Sequence, residues 1–264
     1  RNWGDGKGQM PLPPPPKKAV MELPILPEVR GVLVTGTDTD VGKTVIAAGL
    51  TAALRRHQVK AVYFKPIQSG CPEEGGRLLP TDAAFARELA GLNEPLELLT
   101  PITLRLPLAP GVAAAREGRP VDLGRIAAAI RELAGRYDFL VVEGAGGLYV
   151  PLMATNFLVL DLGRWLKLPL LVVARAGLGT INHTALTVAA ARQHGLEVAG
   201  IILNRYPESP GLAEQTNPAV IEALTGSPIL ARVPEVGNLK LAAEREALLA
   251  ALAEVCGKLA LAVG

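Results

Sequence analysis

Nine consecutive residues carry the strongest chemical signal in the chain: Gly36-Thr37-Asp38-Thr39-Asp40-Val41-Gly42-Lys43-Thr44. Holding a polyphosphate asks for backbone amides curled around its oxygens and a helix N-terminus facing the charge. It also asks for a lysine that reaches the outer phosphates and a hydroxyl for a divalent cation. Gly42, Lys43 and Thr44 supply the essential parts, with Thr39, Asp40 and Val41 in the curve before them. The strict G-x-x-x-x-G-K-[ST] spacing would place glycine at Thr37, and the chain has it at Gly36 instead. The setting outweighs that departure, because strand, turn, GKT and helix coincide.

Other candidates stand at the ends of apolar runs. Lys65, in Phe64-Lys65-Pro66-Ile67-Gln68-Ser69-Gly70, follows one such run, where either a solvated charge or a functional one is expected. Glu143 closes another and is followed by Gly144-Ala145-Gly146-Gly147, which puts one carboxylate at a strand tip, opposite the phosphates, with room for close backbone approach. It resembles a Walker B acid. Asp82 follows Thr81 at a helix start, where capping is the ordinary role. Gly177-Leu178-Gly179-Thr180-Ile181-Asn182-His183 opens a further helix whose free amides suit a carboxylate, and His183 there caps or packs. Asn204 ends a run where its amide suits the adenine edge, and no Asn-Lys-x-Asp guanine signature follows, which favours ATP over GTP.

The elements that must position these residues follow from apolar patterning. Strands are expected at 32–35, 61–64, 139–142, 169–174 and 198–203, and helices at 43–57, 123–134, 158–166 and 182–194. The last thirty residues, rich in Ala, Leu and Glu, read as a closing helix. Strands alternating with helices, with Val, Leu and Ile on consecutive positions, imply an α/β fold with a mostly parallel sheet flanked by helices on both faces. Ligands in such a fold bind at the carboxyl ends of the strands.

Composition excludes other classes. Of the 264 residues 49% are hydrophobic, enough to bury a large core, and residues 31–264 read as one domain. Residues 1–30 read as an extension outside the fold, with Gly4, Gly6, Gly8, prolines at 13–16 and Lys17-Lys18. It lacks the apolar stretch of a secretory signal, and Met21 is an alternative start. No apolar run approaches the roughly eighteen residues of a membrane span, so no membrane role is expected. Cys71 and Cys256 have no metal-ligand spacing and make no secreted disulfide framework, which points to the cytoplasm. The net charge of +2 lies in the extension, which holds five Lys or Arg against three acids. The balanced body argues against nucleic acid.

Together the nine-residue loop, Lys65-Pro66, Thr81-Asp82, Val142-Glu143-Gly144-Ala145-Gly146-Gly147 and Gly177 to His183 resemble the dethiobiotin synthetase family, in order and spacing, over about residues 32–235. The resemblance implies a P-loop NTPase, Rossmann-like three-layer architecture. It also implies a reaction in which 7,8-diaminononanoate, CO2 and ATP give dethiobiotin, ADP and phosphate. By resemblance Lys43 and Lys65 are catalytic, and Thr44, Asp82 and Glu143 hold Mg2+. Thr39, Asp40, Val41, Gly42, Lys43, Thr44, Glu143 and Asn204 meet the nucleotide. Thr39, Lys65, Ser69, Gly179, Thr180 and Asn182 meet the substrate, the last three from the neighbouring subunit of a homodimer. The chain departs from the pattern at Arg205, where the family often has aspartate, and at Cys71 in the active-site loop. Cobyrinate-type amidating enzymes share the loop but carry a second glutaminase domain, for which this chain is too short. Partitioning ATPases carry lysine at the place of Asp38.

Overall fold

The computed structural model describes residues 22–262, and the Gly- and Pro-rich part of the expected extension up to residue 21 lies outside them. Along the chain run β1 (Gly31–Gly36), α1 (Lys43–Arg56), β2 (Ala61–Phe64), β3 (Ile67–Gln68), β4 (Glu73–Glu74), β5 (Arg77–Leu78), α2 (Thr81–Ala90), α3 (Leu96–Leu99) and β6 (Ile102–Thr103). There follow α4 (Pro110–Glu117), α5 (Leu123–Ala134), β7 (Phe139–Glu143), β8 (Pro151–Met153), β9 (Phe157–Leu158), α6 (Val159–Leu166) and β10 (Leu170–Arg175). The last elements are α7 (Thr180–Gln193), β11 (Val198–Tyr206), α8 (Leu212–Thr225), β12 (Ile229–Pro234) and α9 (Ala242–Ala262).

Six strands form one sheet in the order β12-β11-β10-β1-β7-β2, with every neighbouring pair parallel. Their runs of Val, Ile and Leu have no polar alternation because helices cover both faces. Every residue of β1, β2 and β7 is buried. On one side α1 packs against α2 and α9. The approach of α9 is close: a Cβ on Gly49 would stand 2.8 Å from a Leu252 methyl and 2.9 Å from one of Leu248. On the other side Gly163 of α6 sits against Leu33, and α7 packs against β10 and α8. Asp122 caps α5 by accepting from the amides of Gly124 at 2.8 Å and Arg125 at 3.2 Å, a device worth about 1 kcal/mol.

The expected strands and helices stand within a few residues of their sequence positions. The helix expected from 182 starts at Thr180, because Gly179 at φ 86° provides a left-handed cap. The strand expected to end at 203 continues to Tyr206. The pattern missed α8, whose interior holds Pro218, and β12, which is buried at only two of its six positions. Residues 22–30, assigned to the extension from composition, meet the body of the fold. Trp165 Nε1 donates to the Pro24 carbonyl at 2.8 Å, Arg131 to that of Ile25 at 2.7 Å, and Leu26 and Val29 pack against the core. Apolar residues between the prolines give this stretch something to bury.

Candidate active site

The loop between β1 and α1 is tight at two glycines. A Cβ on Gly42, itself at φ 93°, would lie 2.0 Å from Asn204 Nδ2. At Gly36 a Cβ would lie 2.7 Å from the Asp38 carbonyl oxygen and 2.9 Å from Lys43 Nζ. Positions 36 and 42 both exclude a side chain, so the first glycine is required at 36, with five residues between it and Gly42. Asp40 takes φ 57°, a left-handed conformation that Asp tolerates better than most residues. The loop is held from two strands, β10 and β11, and from the glycine turn that follows β7. Thr37 N donates to Val173 O at 3.0 Å, Gly36 N to Gly146 O at 3.2 Å, and Asn204 Nδ2 to Val41 O at 2.9 Å.

Lys43 folds back into this loop and donates to Asp38 O at 2.9 Å. Burial pulls its pKa below the ordinary lysine value, against the opposing pull of Glu143. A poorly solvated ammonium inside a ring of amides is poised to gain from an arriving polyphosphate.

On the far side of β1, at the ends of β7 and β2, five side chains form one network. Glu143 is 1% exposed. Its Oε1 accepts from Thr44 Oγ1 and from Lys65 Nζ, each at 2.8 Å, and its Oε2 accepts from Tyr63 OH at 2.6 Å. Lys65 also pairs with Asp82. Burial alone would lower the Lys65 pKa, but Glu143 and then Asp82 outweigh it and push it up to about 12. The expected capping role of Asp82 is not what its side chain does. Pro80 is the N-cap of α2 and provides no side-chain bond, and the Asp82 carboxylate turns to Lys65. Gln68 secures that turn, accepting from Asp82 N at 3.1 Å and donating to Thr81 Oγ1 at 2.9 Å.

A pocket of about 640 Å³ opens onto both parts. Thr39, Asp40, Gly42, Lys43 and Thr44 line one wall, and Lys65, Ser69, Asp82 and Glu143 another. Arg205, at φ 54°, also reaches it. Five expected residues do not line it, and one of them, Val41, is buried within the loop itself. Gly179 and Asn182 are exposed at the start of α7, and Thr180 is buried with its hydroxyl 3.4 Å from that of Thr184. His183 is exposed and does not pack into the core. Asn204 is buried, with its amide nitrogen spent on the loop rather than left for a base. Cys71 is buried, and burial pushes its thiol up to about 11, far from a reactive thiolate.

Sequence reading missed Tyr63 and Gln68. A tyrosine inside a strand covered on both faces must find a partner for its hydroxyl, and that is the one local hint. Among the described residues no cluster of three or more His, Cys, Asp or Glu side chains forms a metal cage. Thr44, Asp82 and Glu143 nonetheless offer hard oxygen donors, and the Lys65 ammonium shows that one cation satisfies both carboxylates. That set fits magnesium held jointly with a substrate's phosphates.

Sheet, loop and carboxylates together define a P-loop nucleotide-binding protein. The fold is similar to the MinD cell division protein of Aquifex aeolicus, at TM-score 0.51 and 14% identity over 88% of this chain and 97% of that one. It is also similar to the cell division ATPase MinD of Pyrococcus furiosus, at TM-score 0.50 and 18% identity over 88% and 99%. A family model described as an AAA domain matches residues 30–243. The ATP-dependent dethiobiotin synthetase BioD of Anaeromyxobacter dehalogenans (strain 2CP-C) is 50% identical over 206 residues, which cover 78% of this chain and 90% of that one. That of Bacillus velezensis is 42% identical over 211 residues, 80% and 89% of the two chains. The chain belongs to the ATP-dependent dethiobiotin synthetase family.

Proposed function

We infer that this chain closes the ureido ring of dethiobiotin with ATP, from 7,8-diaminononanoate and CO2. One amine takes up CO2 as a carbamate, the γ-phosphoryl of ATP passes to a carbamate oxygen, and the second amine attacks the activated carbon. The ring closes, phosphate leaves with that oxygen, and ADP remains. Phosphoryl transfer of this kind needs positioning and charge neutralisation more than a protein nucleophile.

The observation that carries the reading is Lys65, held between Glu143 and Asp82 in the wall of the pocket that Lys43 and Thr44 also line. A fixed cation there suits a carbamate and the mixed anhydride that follows it. Lys43 neutralises the transferring phosphoryl, with Thr39, Asp40, Val41, Gly42 and Thr44 around the nucleotide. Thr44, Asp82 and Glu143 would hold magnesium, which would supply neutralisation of the phosphates' charge. Because its amide nitrogen is engaged, Asn204 offers an adenine edge its carbonyl oxygen, an acceptor for the base's amino group.

Ser69 lines the substrate side of the pocket. The substrate's far carboxylate fits the amides of Gly179, Thr180 and Asn182 in a second copy of the chain, since in one chain they lie outside the pocket. Leu178, 91% exposed beside that helix start, is the kind of residue a homodimer covers. No helix of the described residues is long and apolar enough to cross a membrane, and the cytoplasm remains the proposed location.

The test is phosphate release from ATP with magnesium and bicarbonate, with and without the diamine, while dethiobiotin is followed by mass spectrometry. Diamine-dependent phosphate matched by dethiobiotin is expected. Hydrolysis indifferent to the diamine would reject the substrate and keep only the nucleotide site.

A further inference from the structure

Tyr63 has no part in the reaction as assigned above, yet it holds one of the site's central carboxylates. Its side chain is completely buried in β2, where Tyr63 stands in register with Val141 of β7. Val141 and Glu143 share a face of their strand, so a side chain as long as tyrosine can run along that face to the strand's end. There the phenol donates to Glu143 Oε2 at 2.6 Å, while Oε1 takes Thr44 and Lys65. A carboxylate group rotates broadly about its last bond, so fixing one oxygen decides which one faces the pocket.

We propose that Tyr63 is a positioning residue for the divalent cation: by engaging Glu143 Oε2 it presents Oε1, beside the Thr44 hydroxyl, to the metal-bound nucleotide. The proposal rests on the assignment of Glu143 and Thr44 as cation ligands. Phenylalanine at this position would leave Oε2 buried without a partner and the carboxylate free to turn.

Tyr63→Phe removes one oxygen and keeps the ring. Manganese binding in the presence of a non-hydrolysable ATP analogue, followed by loss of the free-ion EPR signal, is expected to weaken roughly tenfold. Half-saturating magnesium for diamine-dependent phosphate release should rise by a similar factor, with a much smaller fall in kcat at saturating magnesium. In a Glu143→Gln background the same change should do nothing further to manganese binding. A lowered melting temperature with unchanged manganese affinity would overturn the proposal and leave Tyr63 as packing. Should Tyr63→Phe alone fail to fold, the background comparison still decides. Equal manganese binding by the double variant and Glu143→Gln supports the proposal, and weaker binding by the double variant sinks it. Manganese binding indifferent to Glu143→Gln itself would instead refute the cation assignment, a different failure with a different signature.

Discussion

At the carboxyl ends of β2 and β7, Tyr63, Lys65, Asp82, Glu143 and Thr44 are tied into one network around buried charges. At the ends of β10 and β11, Leu178, Gly179, Asn182 and Arg205 stand exposed. Both sets stand at the carboxyl end of the same sheet, on opposite sides of β1. The first half is organised before any ligand arrives, so its desolvation and ordering costs fall on folding rather than on the reaction. The second half offers donors and apolar surface that a single chain leaves uncovered. On the proposed reading, the difference would mean that phosphoryl transfer is prepared within one chain, whereas grip on the rest of the substrate needs a second copy.

The largest effect should come from breaking the network at its cation. Lys65→Ala leaves Glu143, which is almost fully buried, without its ion pair. Removing one partner of a buried pair costs about 3–5 kcal/mol, so denaturant unfolding should show a loss of that order along with lost turnover. The same pair sets a pH window. The Lys65 pKa of about 12 lies above its ordinary 10.5, so the stability it contributes is complete below about pH 10.5 and is lost as pH rises through about 12. Unfolding free energies for wild type and Lys65→Ala should therefore converge only at strongly alkaline pH. A stability loss near zero at pH 7 would mean that the network is not prebuilt.

Lys43→Ala sharpens the contrast inside the prepared half. Turnover should fall about a hundredfold or more, as when one preorganised donor at a developing charge is removed. Its burial disfavours the charged form, so the melting temperature should hold or rise, opposite in sign to Lys65→Ala. Lysines of equal charge would then be separated by role, one waiting for phosphate and one already paired. Near-normal turnover in Lys43→Ala would sink the mechanism.

Much of this was legible in the sequence, because chemistry-bearing types fell at the ends of apolar runs. Gly42-Lys43-Thr44, Lys65 and Glu143 each follow a strand that the pattern locates, and parallel sheets place strand ends together. Tyr63 was not legible, because its role depends on the register of β2 against β7, strands separated by most of the pocket's walls in sequence. Gln68 was hidden for the same reason, acting on Asp82 from a two-residue strand too short to show a period. α8 escaped because Pro218 reads as a helix breaker, although the helix runs through it. That the loop's first glycine stands at 36 was plain in the sequence, but why it must be glycine emerged only from what its missing Cβ would strike.

Asn204→Ala probes the joint between the halves, since this β11 residue holds the loop that follows β1. Losing its bond to Val41 O should cost about 1 kcal/mol of stability and raise the KM for ATP more than it lowers kcat. An unchanged KM with lowered kcat would place Asn204 at the chemistry rather than at the nucleotide.

The smallest effect on the folded chain, and the sharpest for the open half, should come from Leu178→Asp. At 91% exposure Leu178 has almost no burial to lose, so its replacement should move the melting temperature of dilute protein very little. If a second copy covers the start of α7, an aspartate there buries an unpaired charge in the contact and sets it beside the substrate's carboxylate. Sedimentation velocity should then show a shift toward monomer, and the KM for the diamine should rise while ATP binding measured by calorimetry stays put. A variant that keeps both its association state and its diamine KM would show that the open half is not completed in this way, and the substrate's carboxylate would have to be held within one chain.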